Sequence, residues 1–154
     1  MDLTLWGGSA LTDPSIAIPV GGIDESTIPV TYVPARNTIL LSLALSWAEV
    51  IGAAALYIGV NSLDYSGYPD CRPEFIAAYQ RLIAVATKAT VQGAMIQIAT
   101  PLQHLSKVEI ARRALMLGVP LDLTWSCYAD GPVPCGVCDS CRLREEALAS
   151  VRQD

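Results

Sequence analysis

Cys127, Cys135, Cys138 and Cys141 place four of the chain's five thiols within fifteen residues, with seven, two and two residues between successive members. Cys135 to Cys138 and Cys138 to Cys141 are overlapping C-x-x-C turns, which can present three thiolates to one point. Cys127 reaches the same point after the bends at Gly131-Pro132 and Pro134. Zinc takes four thiolates tetrahedrally, and a closed set of this kind leaves no coordination position for a reacting water. The chemistry read from the spacing is therefore a structural zinc site. A disulfide framework is one rival, but Met1-Asp2-Leu3-Thr4 lacks the basic region and long apolar run of a secretory leader. An iron–sulfur cluster is another, although ferredoxin spacings differ from this one. Thiols without a leader point to a reducing cytoplasm.

A second group of residues suits ligand binding. Asn61 to Arg72 is a long polar loop in which Asp64, Tyr65, Tyr68, Asp70 and Arg72 offer acceptors, stacking faces and a cation. That mixture fits a flat heterocycle with amide-like edges, and long ordered loops in compact domains are often functional. Arg36 can grip a carboxylate or phosphate with its planar fork, with a surface ion pair as the plainer alternative. Asn37 reads as a helix N-cap that can also meet a ligand. Lys107 sits in the first turn of a helix, where a cation opposes the dipole and hints at an anionic partner. Cys71 and His104 show no spacing that pairs nucleophile with base, so they read as a packing thiol and a turn residue. Asp139, Ser140, Arg142 and Arg144 read as support for the thiol turns and the start of a terminal helix.

The elements that must position these residues alternate. Pro29 to Val33 is a strand candidate, followed by a helix over 38–51, a strand over 55–60 and a helix from Pro73 to about Lys88. A strand over 94–99 comes next. Ser106-Lys107-Val108-Glu109 is a capping box opening a helix that stops at Gly118, with Pro120 just beyond. Strands alternating with helices predict an α/β layer with a mainly parallel sheet. In such a layer ligands bind beyond the carboxyl ends of the strands. The loops 34–37, 61–72 and 100–106 leave those ends. Composition divides the 154 residues, read as one domain, into a loop-rich segment 1–28, an α/β layer 29–122 and a thiol-bearing segment 123–154.

Charge and hydropathy exclude two classes. A net charge of −5 argues against extended contact with a nucleic acid backbone. Thr38 to Val60 carries Glu49 as its only charge and is long enough to span a bilayer. Gly52 interrupts it, however, and Ser42, Ser46 and Glu49 form a polar stripe, so a buried helix, a turn and a buried strand fit better. No membrane partner is expected. Val20-Gly21-Gly22-Ile23-Asp24-Glu25-Ser26-Thr27 resembles an S-G-G-x-D-S phosphate loop, but Pro19 breaks the strand that such a loop should follow, and the match reads as coincidence.

Several runs together resemble the 7-cyano-7-deazaguanine synthase family of queuosine biosynthesis. They are Gly7 to Thr12, Thr31 to Asn37, Gly59-Val60-Asn61 with Asp64 to Phe75, Thr100-Pro101-Leu102 with Ser106 to Ile110, Leu123 to Tyr128 and Pro134 to Arg144. The resemblance implies a Rossmann-like layer of the adenine-nucleotide α-hydrolase type and an ATP-dependent ligase acting on 7-carboxy-7-deazaguanine and ammonia. In that scheme the carboxylate is adenylated with loss of pyrophosphate, and ammonia displaces AMP to give an amide. A second adenylation then permits dehydration to the nitrile. Magnesium would accompany ATP, Cys127, Cys135, Cys138 and Cys141 would bind zinc, and the protein would be a cytoplasmic homodimer. By position, Arg36, Asp64, Tyr68, Asp70 and Arg72 are the substrate-edge candidates. Ser106 replaces the family's usual threonine and keeps the cap.

Family members carry a first strand and an S-G-G-x-D-S-T loop ahead of the segment that resembles Gly7 to Thr12. The expectation is that this chain is a single partial domain matching the family's C-terminal two thirds, lacks those first strands, leaves a sheet edge exposed and does not turn over ATP alone. The alternative is a non-catalytic, zinc-stabilised module that binds a deazapurine.

Overall fold

Residues 1–22, 26–62 and 67–152 are described by a computed structural model of the chain. They form two compact units, one of Ala35–His104 and one of Met1–Pro34 with Leu105–Asp154. These units cut across the segments 1–28, 29–122 and 123–154 read from composition.

The unit of Ala35–His104 is a short parallel pair of strands covered by helices. Helix α1 is Arg36–Ile51, strand β1 Ala55–Tyr57, helix α2 Pro73–Ala86, helix α3 Lys88–Val91 and strand β2 Gln97–Ala99. β1 and β2 run parallel, with Leu56 opposite Ile98, so the chain crosses over through α2 and α3 as a parallel connection requires. Leu41, Leu45 and Ala48 recur at helical spacing on one side of α1 and pack with Leu56, Tyr79, Ile83 and Ile96 into the core. Gly52, at φ 66, ends α1 in the left-handed conformation that glycine adopts without a steric penalty. Glu49, the lone charge of that apolar run, accepts a 2.9 Å hydrogen bond from the Ala89 N–H at the start of α3. Among the described residues, no helix is long and apolar enough to cross a membrane.

One edge of the sheet is closed by a side chain. Gln80 of α2 donates through Nε2 to the Ile96 carbonyl at 2.9 Å, and its Oε1 accepts from the Ile98 N–H at 2.8 Å. The amide thereby offers β2 the same donor and acceptor that a neighbouring strand would. Among the described residues, no side chain seals the opposite edge, on β1, in this way. Pairing toward β2 uses the Ala54 carbonyl and the Ile58 N–H, and the parallel pattern turns the backbone groups of Ala55 and Tyr57 the other way. Tyr57 is 78% exposed. Leu40, Leu43, Trp47 and Val50 give α1 a second apolar face, and all four are exposed.

The other unit is largely irregular. Gly7 and Gly8, at φ 60 and 76, begin a tight loop in which Ser9 is fully buried and Thr12 Oγ1 donates to the Gly7 carbonyl. Helix α4 is Lys107–Met116 and α5 is Asp139–Arg152. They meet through Ala111, Ala147, Leu148 and Val151. Ser106 opens α4 with both halves of the capping box in place.

Three expectations change. Pro29–Val33 is not a strand. The Tyr32 N–H bonds back to the Pro29 carbonyl at 2.9 Å, and the segment curls into a turn between two prolines that cannot donate to a ladder. Asn37 does not cap α1, because the helix begins at Arg36 with Ala35 at the cap and φ 53. The strands over 55–60 and 94–99 exist but shorten to β1 and β2. The layer that results is a mixture of helices and a small parallel sheet.

Replacing Gln80 with Leu leaves the Ile96 carbonyl and the Ile98 N–H without their partner. Two lost hydrogen bonds correspond to about 2 kcal/mol. Urea unfolding is expected to show a lower midpoint with an unchanged slope.

Candidate metal centre and ligand edge

The four cysteines of the C-terminal segment converge. The sulfurs of Cys127, Cys135, Cys138 and Cys141 all lie within 4.8 Å of one another. Local geometry accounts for this. Gly136 takes φ 73, which folds Cys135-Gly136-Val137-Cys138 back on itself and lets the Cys138 N–H donate to Cys135 Sγ at 3.4 Å. Cys141 follows one turn later, inside α5. Cys127 arrives from the other side, and its sulfur accepts from the N–H groups of Ala129 and Cys135, each at 3.3 Å. Arg144 holds the incoming strand of chain to α5, donating to Thr124 Oγ1 at 2.6 Å and the Leu121 carbonyl at 2.7 Å. Val20 forms an isolated antiparallel bridge with Cys138. The glycine pair Gly21-Gly22 therefore lies beside the thiol cluster, and neither strand nor helix flanks it as a phosphate loop would need; Ile23, Asp24 and Glu25 lie outside the described residues.

The thiols differ in how readily they ionise. The N–H groups of Val137 and Cys138 pull Cys135 down to about 6, whereas burial pushes Cys141 up to about 12. A thiolate beside a thiol held neutral by burial is a set that a dication would ionise together, because a coordinated thiol loses its proton outright. The donors fit zinc, which favours four sulfurs. All five cysteines are free thiols in this structure.

The second group gathers at the carboxyl end of the parallel pair. Asp70, only 6% exposed, accepts the Asn37 backbone N–H through Oδ2 at 3.0 Å. Asn37 Nδ2 donates to the Asp70 carbonyl at 3.0 Å and to Cys71 Sγ at 3.5 Å. The carboxylate thus caps α1 from 33 residues away. Gln103 Nε2 donates to the Cys71 carbonyl at 2.8 Å and to Ser62 Oγ at 2.9 Å. Asn61 Nδ2 reaches the Leu102 carbonyl at 3.3 Å. The start of α1, both ends of the 61–72 loop and the loop after β2 are thereby stitched into one edge.

The residues expected from the sequence fall around this edge unequally. Asn37 and Asp70 are inside the network. Arg36 is half-buried at the first position of α1, Tyr68 is half-buried beside the short 3-10 turn Pro69–Cys71, and Arg72 is exposed immediately before α2. Neither guanidinium makes an ion pair or side-chain hydrogen bond among the described residues. Asp64 and Tyr65 lie outside the described residues. Lys107 belongs to the other unit, at the first position of α4. Cys71 is half-buried, with its sulfur accepting from Asn37 Nδ2, and His104 is an exposed turn residue. The sequence reading missed Gln103 and Gln80. The signal for Gln80 is a polar residue on an apolar helical stripe, four residues after Ile76 and three before Ile83.

Known proteins match this chain along nearly all of its length. The family model described as "Queuosine biosynthesis protein QueC" matches residues 1–152. The chain is 55% identical over 148 residues to a protein of Gloeothece citriformis (strain PCC 7424) named 7-cyano-7-deazaguanine synthase, covering 96% of this chain and 64% of that protein. A protein of the same name from Microcystis aeruginosa is 57% identical with the same coverage. The one from Nostoc sp. (strain PCC 7120) is 58% identical over 153 residues, 97% of this chain and 67% of its own length. The chain therefore spans about 64% of the length of the first two.

Metal uptake by the reduced, metal-free chain is expected to release protons, though fewer than four per ion at pH 7, because Cys135 is already ionised there. Below about pH 6 Cys135 also binds a proton, so the release per ion rises and affinity falls more steeply. Competition titrations in buffers of differing ionisation enthalpy measure both. An affinity independent of pH between 5 and 8 would be inconsistent with thiol ligation.

Proposed function

The chain belongs to the queuosine biosynthesis protein QueC family, and from that membership we propose that it carries the substrate edge and structural metal site of a 7-cyano-7-deazaguanine synthase. The activity proposed for the whole protein is ATP-dependent conversion of 7-carboxy-7-deazaguanine and ammonia to the nitrile. The observation that carries the reading is the stitched edge beyond the carboxyl ends of β1 and β2, where open α/β layers bind ligands.

On this reading Arg36 and Arg72 meet the substrate carboxylate or a phosphate, with the bidentate geometry of a guanidinium. Tyr68 supplies a stacking face, with Tyr65 and Asp64 from the same loop. Asn37 and Asp70 hold α1 against that loop, so that Arg36 is presented from a fixed helix end. Lys107, at the first position of α4 in the other unit, is assigned to an anionic partner. Much of the chemistry is positioning and charge stabilisation. Magnesium, when bound with ATP, would offset the phosphate charge. Zinc would be held by Cys127, Cys135, Cys138 and Cys141 and would stabilise the fold without touching substrate.

The nucleotide half of the reaction is assigned to the part of the relatives' length outside this chain. Parallel sheets are ordinarily covered on both faces and extend beyond two strands. The unsealed β1 edge and the second apolar face of α1 support further strands packing there in the whole protein. A Rossmann-like layer, a cytoplasmic location and a homodimer belong to the same proposal. The share of the relatives' length covered also favours a second reading, in which the isolated chain binds the deazapurine without catalysis.

Calorimetry with 7-carboxy-7-deazaguanine separates these outcomes. The isolated chain is expected to bind it and to release no pyrophosphate from ATP. Arg36→Ala is expected to weaken binding by about tenfold to a hundredfold, the loss of a charge-assisted hydrogen bond, with metal content unchanged. Substrate-dependent pyrophosphate release would establish the isolated chain as a catalyst, and absence of any binding would remove the ligand edge.

A further inference from the structure

Gln103 is 3% exposed, and its side chain touches both ends of the 61–72 loop. The Gln103 carbonyl also accepts from the Ser62 N–H at 3.1 Å and from Ser62 Oγ at 3.0 Å. The Ser62 hydroxyl proton is thus committed to that carbonyl, and Ser62 can offer Nε2 only a lone pair. The Cys71 carbonyl likewise has only lone pairs. Rotating the amide by half a turn would set Oε1 against two acceptors, so its orientation is fixed by chemistry.

With Nε2 fully used, Oε1 is left over. It is buried and has no hydrogen-bond partner, alone in this respect among the described residues. A buried acceptor without a donor is costly to keep. It sits on the same amide carbon as Nε2, which bonds Ser62 and Cys71 at the two ends of the loop. The Cys71 carbonyl and the Ser62 hydroxyl account for the NH2 of this amide, and neither accounts for its Oε1.

We propose that Gln103 is a positioning and specificity residue for the heterocycle: its NH2 clamps the two ends of the 61–72 loop, and its Oε1 accepts an N–H from the bound ligand. The clamp follows from the hydrogen bonds alone. The identity of the ligand, a purine-like base with ring or amino N–H donors, rests on the function proposed above. Gln103 does not act on reacting atoms. It sets the width of the loop's base and offers one acceptor that only a donor-bearing edge can satisfy.

The test compares Gln103→Leu, which removes donor and acceptor, with Gln103→Glu, which retains an acceptor. Amide exchange over 58–62 and 67–72, binding of 7-carboxy-7-deazaguanine and metal content are measured on each. Exchange at 67–72 is expected to quicken in the Leu variant. Its dissociation constant is expected to rise about tenfold, the factor equivalent to 1.4 kcal/mol. The Glu variant should recover part of that affinity, and metal content should stay unchanged in both. Native exchange in the Leu variant would overturn the clamp, and equal affinity of the Leu variant and the native chain would overturn the acceptor. If the native chain binds no heterocycle while exchange still quickens, the proposed function and the acceptor fall together and the clamp stands. Should the Leu variant fail to fold, the Glu variant decides: affinity reduced less than tenfold supports the acceptor, and complete loss of binding overturns it.

Discussion

Four sulfur atoms within 4.8 Å of one another constrain everything around the C-terminal segment. As free thiolates they would repel strongly at that separation, and as thiols they would leave neutral a Cys135 whose ionisation the Val137 and Cys138 N–H groups favour. A bound dication would resolve both. The segment around them has little else to hold it: Val133 and Val137 are exposed, and the apolar cluster between α4 and α5 is small. Where so little apolar surface is buried, the free energy of metal binding becomes folding free energy. Arg144, the Val20 bridge to Cys138 and the left-handed turn at Gly136 then have one purpose, which is to bring four sulfurs from a loop and a helix to one point.

The unit of Ala35–His104 is held differently. Its core of Leu41, Leu45, Leu56, Tyr79, Ile83 and Ile96 fixes helices on a parallel pair, and its polar residues finish what the core begins. Three side chains borrow backbone roles. Asp70 stands in for a helix cap, Gln80 for a missing strand, and Gln103 for a turn that would join two loops. Each satisfies backbone groups that would otherwise be buried without partners. The outcome is an edge whose two ends are pinned, and among the described residues the guanidinium groups of Arg36 and Arg72 make no ion pair or side-chain hydrogen bond.

Local chemistry made part of this legible in the sequence. The thiol cluster could be read because all its ligands lie within fifteen residues and glycine and proline mark the bends between them. The α4 cap was legible for the same reason, since Ser106 and Glu109 are three residues apart. Pro73 and Gly118 marked helix limits through their own backbone restrictions. The failures share a cause. Asn37 looked like a cap because its true partner, Asp70, is 33 residues distant. Pro29–Val33 looked extended because alternation cannot reveal a turn closed by its own backbone. Gln80 and Gln103 act across 16 to 41 residues, and a lone glutamine carries no local mark of such a task.

X-ray absorption at the zinc edge of the purified, reduced chain tests the central claim most directly. The account requires one zinc per chain with four sulfur neighbours at about 2.3 Å and no oxygen or nitrogen in the shell. A shell containing light-atom ligands, or a reduced, folded chain that carries no metal at all, would contradict it.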